Sequence, residues 1–159
     1  MLGFDARRGF TLLELLVVIT IIGILASIGM FQYVKVIETS QAEDALAIAK
    51  SIAIANRTYE MDKGTLLSGL LSCEPGGSAS ANCANACDLM YCGYLARQDL
   101  RRRSWSFYAG DCAGGKTMSA CARRKSDAYA PYGSWGYDIS PHGEVSAVPA
   151  TGSSPPVPP

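Results

Sequence analysis

The sequence lacks an excess of charge of either sign. Lys plus Arg and Asp plus Glu each number 14 in 159 residues, so global charge indicates neither a nucleic acid nor a membrane surface as partner. Histidine is nearly absent, because His142 is the only one. Activated-nucleophile motifs, phosphate-binding loops and paired-carboxylate motifs are missing as well. We therefore expect no enzyme and no cofactor, and the function must be inferred from local features.

Charged side chains are also missing from a long stretch near the N-terminus. Within Phe10–Val34 the only ionisable side chains are Glu14 and Tyr33. A helix that rises 1.5 Å per residue makes this stretch about 37 Å long, enough for a hydrocarbon core of about 30 Å. The basic pair Arg7 and Arg8 precedes it, which predicts that the N-terminal end stays cytoplasmic and that the following chain is exported.

Glu14 distinguishes three interpretations of this apolar stretch. A cleaved secretory signal usually has an apolar core of only about 7–15 residues and needs no acid inside it. A plain signal anchor leaves Glu14 unexplained, because an acidic side chain within a membrane costs about 2.5–3.5 kcal/mol on insertion scales. The third interpretation explains Glu14 through the residues that precede it.

The stretch from Gly9 to Ile19, GFTLLELLVVI, resembles the cleavage and methylation segment of type IV pilins and type II secretion pseudopilins. In that family a peptidase on the cytoplasmic face cuts after the glycine and methylates the new N-terminal amine. The resemblance implies that Met1–Gly9 is a cleaved leader and that Phe10 becomes the N-methylated first residue. It also implies that Glu14 is the family's glutamate at the fifth mature position.

The chemistry of Glu14 agrees with that resemblance. An amine released at Phe10 stays a cation after methylation, and Glu14 neutralises it in its own chain or in a neighbouring subunit. Among packed helices this pairing sets the register, since a misplaced subunit leaves two unpaired buried charges.

Where many pilins have a proline this chain has Phe31, so Gly23 and Gly29 are the candidates for local helix weakening, each by about 1 kcal/mol relative to alanine.

The helix is expected to continue beyond the apolar stretch with an amphipathic pattern. Apolar and small residues recur at three- and four-residue spacing on one face: Ala42, Ala45, Leu46, Ala49, Ile52 and Ala53. The opposite face has charges spaced by seven: Glu43, Lys50 and Arg57. Lys63 followed by Gly64 is a helix stop. One helix is therefore predicted from Phe10 to Lys63.

Six cysteines lie beyond the apolar stretch: Cys73, Cys83, Cys87, Cys92, Cys112 and Cys121. An even number in a small exported domain predicts three disulfides, while the fifteen conceivable pairings stay open. A metal site at Cys83, Cys87 and Cys92 is the alternative, but the spacing differs from common zinc ribbons and His142 is distant in sequence. We therefore expect disulfides and no metal.

The second half of the chain is expected to form strands. Gly69–Asn85 is predicted as a loop and Leu89–Leu100 as a short helix. Alternating residues predict two hairpins, which pair Ser104–Tyr108 with Thr117–Arg123 and Trp135–Ile139 with Glu144–Val148. The expected fold class is α+β, a long N-terminal helix packed on a small antiparallel sheet, which is also the architecture of pilins. The expected organisation is a leader at 1–9, a transmembrane and polymerisation helix at 10–35, an amphipathic helix at 36–64, a disulfide-bonded head at 65–150 and a Pro-rich disordered tail at 151–159.

Two basic runs, Arg101–Arg103 and Arg123–Lys125, allow two interpretations. With Trp105 and Tyr129 nearby they are able to hold DNA through phosphate contacts and stacking. The preferred interpretation is a charged surface that meets acidic patches on neighbouring subunits. Carboxylates in the last third are sparse, which argues against the calcium site that major pseudopilins commonly have.

The resemblance implies a structural subunit of a type IV pilus or related helical filament that serves adhesion, motility or DNA uptake. Its implied partners are other pilin subunits, a prepilin peptidase and methyltransferase, an inner-membrane assembly platform and a secretin. It implies a single-pass inner-membrane location before assembly and then a place in an extracellular pilus or a periplasmic pseudopilus. A major-type pseudopilin and a single-pass anchored binding domain that never polymerises are the alternatives.

Overall fold

The computed structural model of the chain describes residues 10–74, 76–112, 117–126 and 135–148. It divides the chain into two units, Met1–Ile37 and Glu38–Pro159. The predicted leader at 1–9 and tail at 151–159 lie outside the described residues. The two units share one helix, and the second contains the sheet.

The first element is α1, Leu12–Lys63, 52 residues long. It begins two residues after the predicted start because Thr11 caps it, with its hydroxyl accepting a hydrogen bond from the Glu14 N–H at 3.2 Å. It ends as predicted, since Gly64 has φ +75° and its N–H donates to the Glu60 carbonyl at 2.7 Å.

Five strands form one antiparallel sheet in the order β1-β2-β3-β4-β5. Their bounds are β1 Gly69–Leu70, β2 Trp105–Ala109, β3 Ala120–Arg124, β4 Gly136–Ile139 and β5 Val145–Val148. Both predicted hairpins are present, as the β2–β3 and β4–β5 pairs. The sheet is a meander in which every strand follows its neighbour in sequence. The predicted α+β class with a long helix and an antiparallel sheet is therefore confirmed.

Two local predictions need correction. The stretch predicted as a loop from Gly69 contains β1, which pairs with β2 over only two residues and therefore has too little alternation to be visible in the sequence. The helix predicted over Leu89–Leu100 is only α2, Asp88–Tyr91. It stops early because Gly93 takes φ +88°, a left-handed conformation that ends a helix.

The core of the second unit lies between α1 and the sheet. The predicted inner face of α1 is buried apart from the partly buried Leu46, and its alanines leave room for a close approach of large aromatic residues. Trp105, Trp135 and Tyr137 form an aromatic cluster with ring centroids 5.0–5.9 Å apart. Edge-to-face and stacked rings at this separation add about 0.5–1.5 kcal/mol per pair beyond the apolar area they bury.

Candidate assembly site

The first part of α1 is an apolar surface with no cover within the described chain. Every residue from Phe10 to Ser27 is exposed, and Phe10 is 79% exposed. An 18-residue window of α1 is long and apolar enough to cross a membrane, and none of it is buried. Exposing so many large apolar side chains to water is unfavourable by about 25 cal/mol per Å². This segment therefore needs lipid or other apolar helices around it, which supports the transmembrane prediction.

Glu14 is in the first turn of α1 and its side chain is exposed. Among the described residues its carboxylate has no ion pair, and its pairing with a released amine at Phe10 stays a prediction. A carboxylate near a helix N-terminus also faces the positive end of the helix dipole. Phe10 is four residues earlier, whereas Gly9 lies outside the described residues. Cleavage and methylation at Gly9 and Phe10 therefore stay predictions.

The two glycines proposed to weaken the helix both lie within α1. A Cβ added to Gly23 would meet nothing within 4 Å, so packing does not require a glycine there. The surroundings of Gly29 are outside the described side chains. Because the helix stays continuous through both positions, local unwinding on assembly remains a prediction.

All six cysteines form disulfides in the structure, which pairs Cys73 with Cys87, Cys83 with Cys92 and Cys112 with Cys121. The first two bridges overlap in sequence, so they hold the segment from 73 to 92 in one compact loop. The alternative of a metal at Cys83, Cys87 and Cys92 is excluded in this state, because a metal needs thiolates and these sulfurs are bonded to one another.

Asp88 organises the inside of the same loop. The residue is 2% exposed, and its carboxylate accepts hydrogen bonds from the Ser80 N–H at 2.8 Å, the Ser80 hydroxyl and the Asn85 N–H at 2.9 Å. Burial alone raises the pKa of Asp88, but these three donors favour the charged form and together hold the pKa below its ordinary value. The loop is therefore built around a buried carboxylate as well as its disulfides.

Most side chains of the basic runs are engaged within the chain, and a contact of these runs with neighbouring subunits stays a prediction. Arg101 contacts Glu74 at 3.1 Å, Arg103 contacts Asp44, and Arg123 contacts Asp138 at 3.0 Å. The Lys125 amine donates to the Arg101 carbonyl at 3.0 Å. Tyr129, which the DNA hypothesis also used, lies outside the described residues. Three of the arginines therefore have an acidic partner within the chain, whereas Lys125 contacts a neutral carbonyl and Arg102 is 91% exposed.

Arg124 differs most from the expectation of an exposed basic run, because it is buried. It is 7% exposed and Glu38 is 5% exposed. Its Nε and Nη2 donate to the two oxygens of the Glu38 carboxylate at 3.2 and 3.0 Å, while its Nη1 donates to the Ser104 carbonyl at 2.7 Å. This bidentate ion pair links α1 to β3 at one end of the core.

Asn56 makes a second polar link and is completely buried. Its Nδ2 donates to the carbonyls of Leu67 and Ser119 at 3.0 and 2.8 Å, and its Oδ1 accepts from the Leu67 N–H at 2.9 Å. Sequence reasoning missed both links, although a signal existed. Glu38 and Asn56 fall on the same three- and four-residue spacing as the buried face of α1, where a polar side chain must find partners.

His142 lies in the exposed turn between β4 and β5, where its backbone N–H donates to the Ser140 hydroxyl at 3.3 Å. The nearest described acid in sequence, Glu144, is exposed in the same turn and its N–H donates to the same hydroxyl. The histidine is therefore a solvent-exposed turn residue.

The comparisons with known proteins agree with the resemblance found in the N-terminal segment. The profile described as the prokaryotic N-terminal methylation motif matches residues 5–30. A "Probable minor fimbrial protein" of Dichelobacter nodosus is 38% identical over 74 residues, 46% of each chain. "Fimbrial protein EcpC" of Eikenella corrodens is 43% identical over 60 residues, 38% of this chain and 39% of the relative. A "Fimbrial protein" of Neisseria meningitidis serogroup B is 30% identical over 83 residues, 52% of this chain and 44% of the relative.

This chain covers less than half the length of each of these relatives. No solved structure matches it significantly. The fold and the exposed apolar helix define an α+β protein with a membrane-compatible N-terminal helix and an N-terminal methylation motif. The motif and the fimbrial relatives together support the type IV pilin family, so the resemblance seen in the segment from Gly9 to Ile19 is confirmed.

Proposed function

We propose that this chain is a structural subunit of a type IV pilus. The exposed apolar part of α1 carries the proposal, because it is able to cross a membrane in a free subunit and to pack against the same helix of other copies in a filament. Burial of these surfaces against one another supplies the driving free energy. The second unit, with its three disulfides, is then displayed on the outside.

Processing follows from the motif. A prepilin peptidase removes Met1–Gly9 and methylates Phe10, and the methylated amine pairs with Glu14 of its own or a neighbouring chain. An inner-membrane platform then extracts the subunit, and the filament leaves through a secretin. The subunit is a single-pass inner-membrane protein with its N-terminus inside before assembly and part of an extracellular pilus afterwards. The names of the fimbrial relatives favour a pilus over a pseudopilus, and the non-polymerising anchor has no support from them.

Glu14→Ala tests this proposal in cells with an active prepilin peptidase. We expect insertion and cleavage to stay near wild-type levels, while methylation, filament yield or both fall at least tenfold, measured as subunit in the sheared surface fraction and by electron microscopy. Glu144→Ala is the control, because it removes an exposed acid from a turn far along the sequence and should assemble normally. Normal filaments from Glu14→Ala would contradict the assigned role of the glutamate.

The pseudopilin alternative predicts a different phenotype for a gene deletion. Deletion of the gene would then abolish secretion of folded substrates and leave surface filaments intact. Loss of surface filaments with normal secretion is the result that we expect.

A further inference from the structure

The N-terminus of α1 has the sequence of a helix start. Thr11 and Glu14, with two leucines between them, match the capping-box pattern, in which a threonine at the N-cap is followed three residues later by a glutamate. The structure contains the first half of such a box, because the Thr11 hydroxyl accepts a hydrogen bond from the Glu14 N–H at 3.2 Å. Thr11 is therefore the N-cap of α1, and Leu12 is its first helical residue.

The cap decides which carbonyl is the first acceptor of the helix. In an α-helix each N–H donates to the carbonyl four residues earlier. Among the described residues the first such bond of α1 runs from the Leu15 N–H to the Thr11 carbonyl at 3.3 Å. In a longer helix the Glu14 N–H would donate to the Phe10 carbonyl, but it is bound to the Thr11 hydroxyl instead. Phe10 therefore lies outside the helix, and it is 79% exposed.

This boundary matters for the Gly9–Phe10 bond, which the proposed peptidase cuts. If α1 began at Phe10 and not at Leu12, its ladder would bond the Leu13 N–H to the Gly9 carbonyl. Hydrolysis needs that carbonyl free. The C–N bond breaks, the hydroxyl of water goes to the Gly9 carbonyl carbon, and the remaining proton goes to the Phe10 nitrogen. A peptide bond outside the helix has no ladder hydrogen bond to lose before it is cut.

We propose that Thr11 is a positioning residue for processing, because its hydroxyl makes α1 begin at Leu12 and so keeps the Gly9–Phe10 bond out of the helix. The inference rests on the proposed pilus function, which supplies the peptidase. Loss of the hydroxyl leaves the Glu14 N–H without its acceptor, and helix geometry offers the Phe10 carbonyl in its place. The helix then grows towards the scissile bond, and cleavage slows.

Cleavage kinetics of the full-length chain in detergent, with a purified prepilin peptidase, test this role. Thr11→Val keeps the shape of the side chain but removes the acceptor. Its kcat/KM for loss of Met1–Gly9 should fall about fivefold, which corresponds to the loss of a typical N-cap. Thr20→Val is the matched control, because the Thr20 hydroxyl also makes a hydrogen bond within α1, to the Val17 carbonyl at 2.8 Å. This control should be cut at the wild-type rate.

Two further variants separate capping from recognition of the threonine by the peptidase. Serine and asparagine are both good N-caps, so Thr11→Ser and Thr11→Asn should be cut within about twofold of the wild-type rate. Slow cleavage of either variant would overturn the inference, since the peptidase would then recognise the threonine side chain itself. Thr11→Val cut as fast as the wild type would also overturn it and leave the pilus function intact. If the wild-type chain were not cut between Gly9 and Phe10, the proposed function itself would have failed.

Discussion

The buried pair between Glu38 and Arg124 gives the sharpest prediction about stability. Arg124→Met keeps most of the side-chain length but removes the hydrogen bonds that the guanidinium donates among the described residues, two to Glu38 and one to the Ser104 carbonyl. It leaves the Glu38 side chain, which is only 7% exposed, without this partner. Breaking one side of a buried ion pair costs about 3–5 kcal/mol, far more than the net stabilisation of the intact pair, because the remaining charge is desolvated.

Urea unfolding of the mature full-length chain in detergent measures this cost. Both tryptophans, Trp105 and Trp135, lie in the core of the second unit, so their fluorescence reports on the head and not on the apolar part of α1. Arg102→Met is the matched control. Its side chain is 91% exposed and has one acidic neighbour at 3.8 Å, and an exposed pair of this kind contributes about 0–1 kcal/mol.

A double variant separates the lost pair from general damage to the fold. Glu38→Leu together with Arg124→Met replaces two buried charges by apolar groups, and it should recover most of the free energy of unfolding lost in Arg124→Met alone. The reasoning is refuted if Arg124→Met loses no more stability than Arg102→Met. It is also refuted if the double variant is less stable than Arg124→Met.

Three further predictions follow from single side chains. The pKa of Asp88 is held below its ordinary value of 3.8, so its charged form stabilises the head above about pH 4. This contribution is lost as the pH falls through the lowered folded-state pKa. The difference in unfolding free energy between wild type and Asp88→Asn should therefore shrink on acidification. Gly136→Ala would place a Cβ 2.1 Å from the Ala122 carbonyl oxygen and should cost about 1–3 kcal/mol, seen as a lower thermal midpoint. Gly23→Ala meets nothing within 4 Å and should strengthen α1 by about 1 kcal/mol; filament yield should fall at constant membrane insertion if local weakening is needed, and unchanged yield would show that Gly23 has no such role.

The elements with long periodic patterns were predictable from the sequence. The amphipathic part of α1 extends over several turns, and its stop at Gly64 has a glycine in the conformation that only glycine adopts easily. The two hairpins have alternating residues over four or more positions, so their strands were found within three residues of their observed ends. β1 has two residues, and no alternation can be recognised over that length.

Long-range partners were not predictable in the same way. Glu38 and Arg124 are 86 residues apart, and Arg124 belongs to a basic run that is typical of an exposed surface. Local sequence does not encode which distant carboxylate an arginine meets, just as the cysteine count did not choose among the pairings. The sequence did place two polar residues, Glu38 and Asn56, on the three- and four-residue spacing of the buried face of α1. Such positions indicate a buried polar contact without identifying the partner.

The N-terminus of the mature protein tests the central claim most directly. Intact-mass and peptide mass spectrometry of the chain extracted from membranes and from sheared filaments, in cells with an active prepilin peptidase, measures where the polypeptide begins. The account predicts a chain that starts at Phe10 with one added methyl group on its amine and no trace of Met1–Gly9. A mature chain that retains Met1–Gly9 in such cells would contradict the pilin function proposed here.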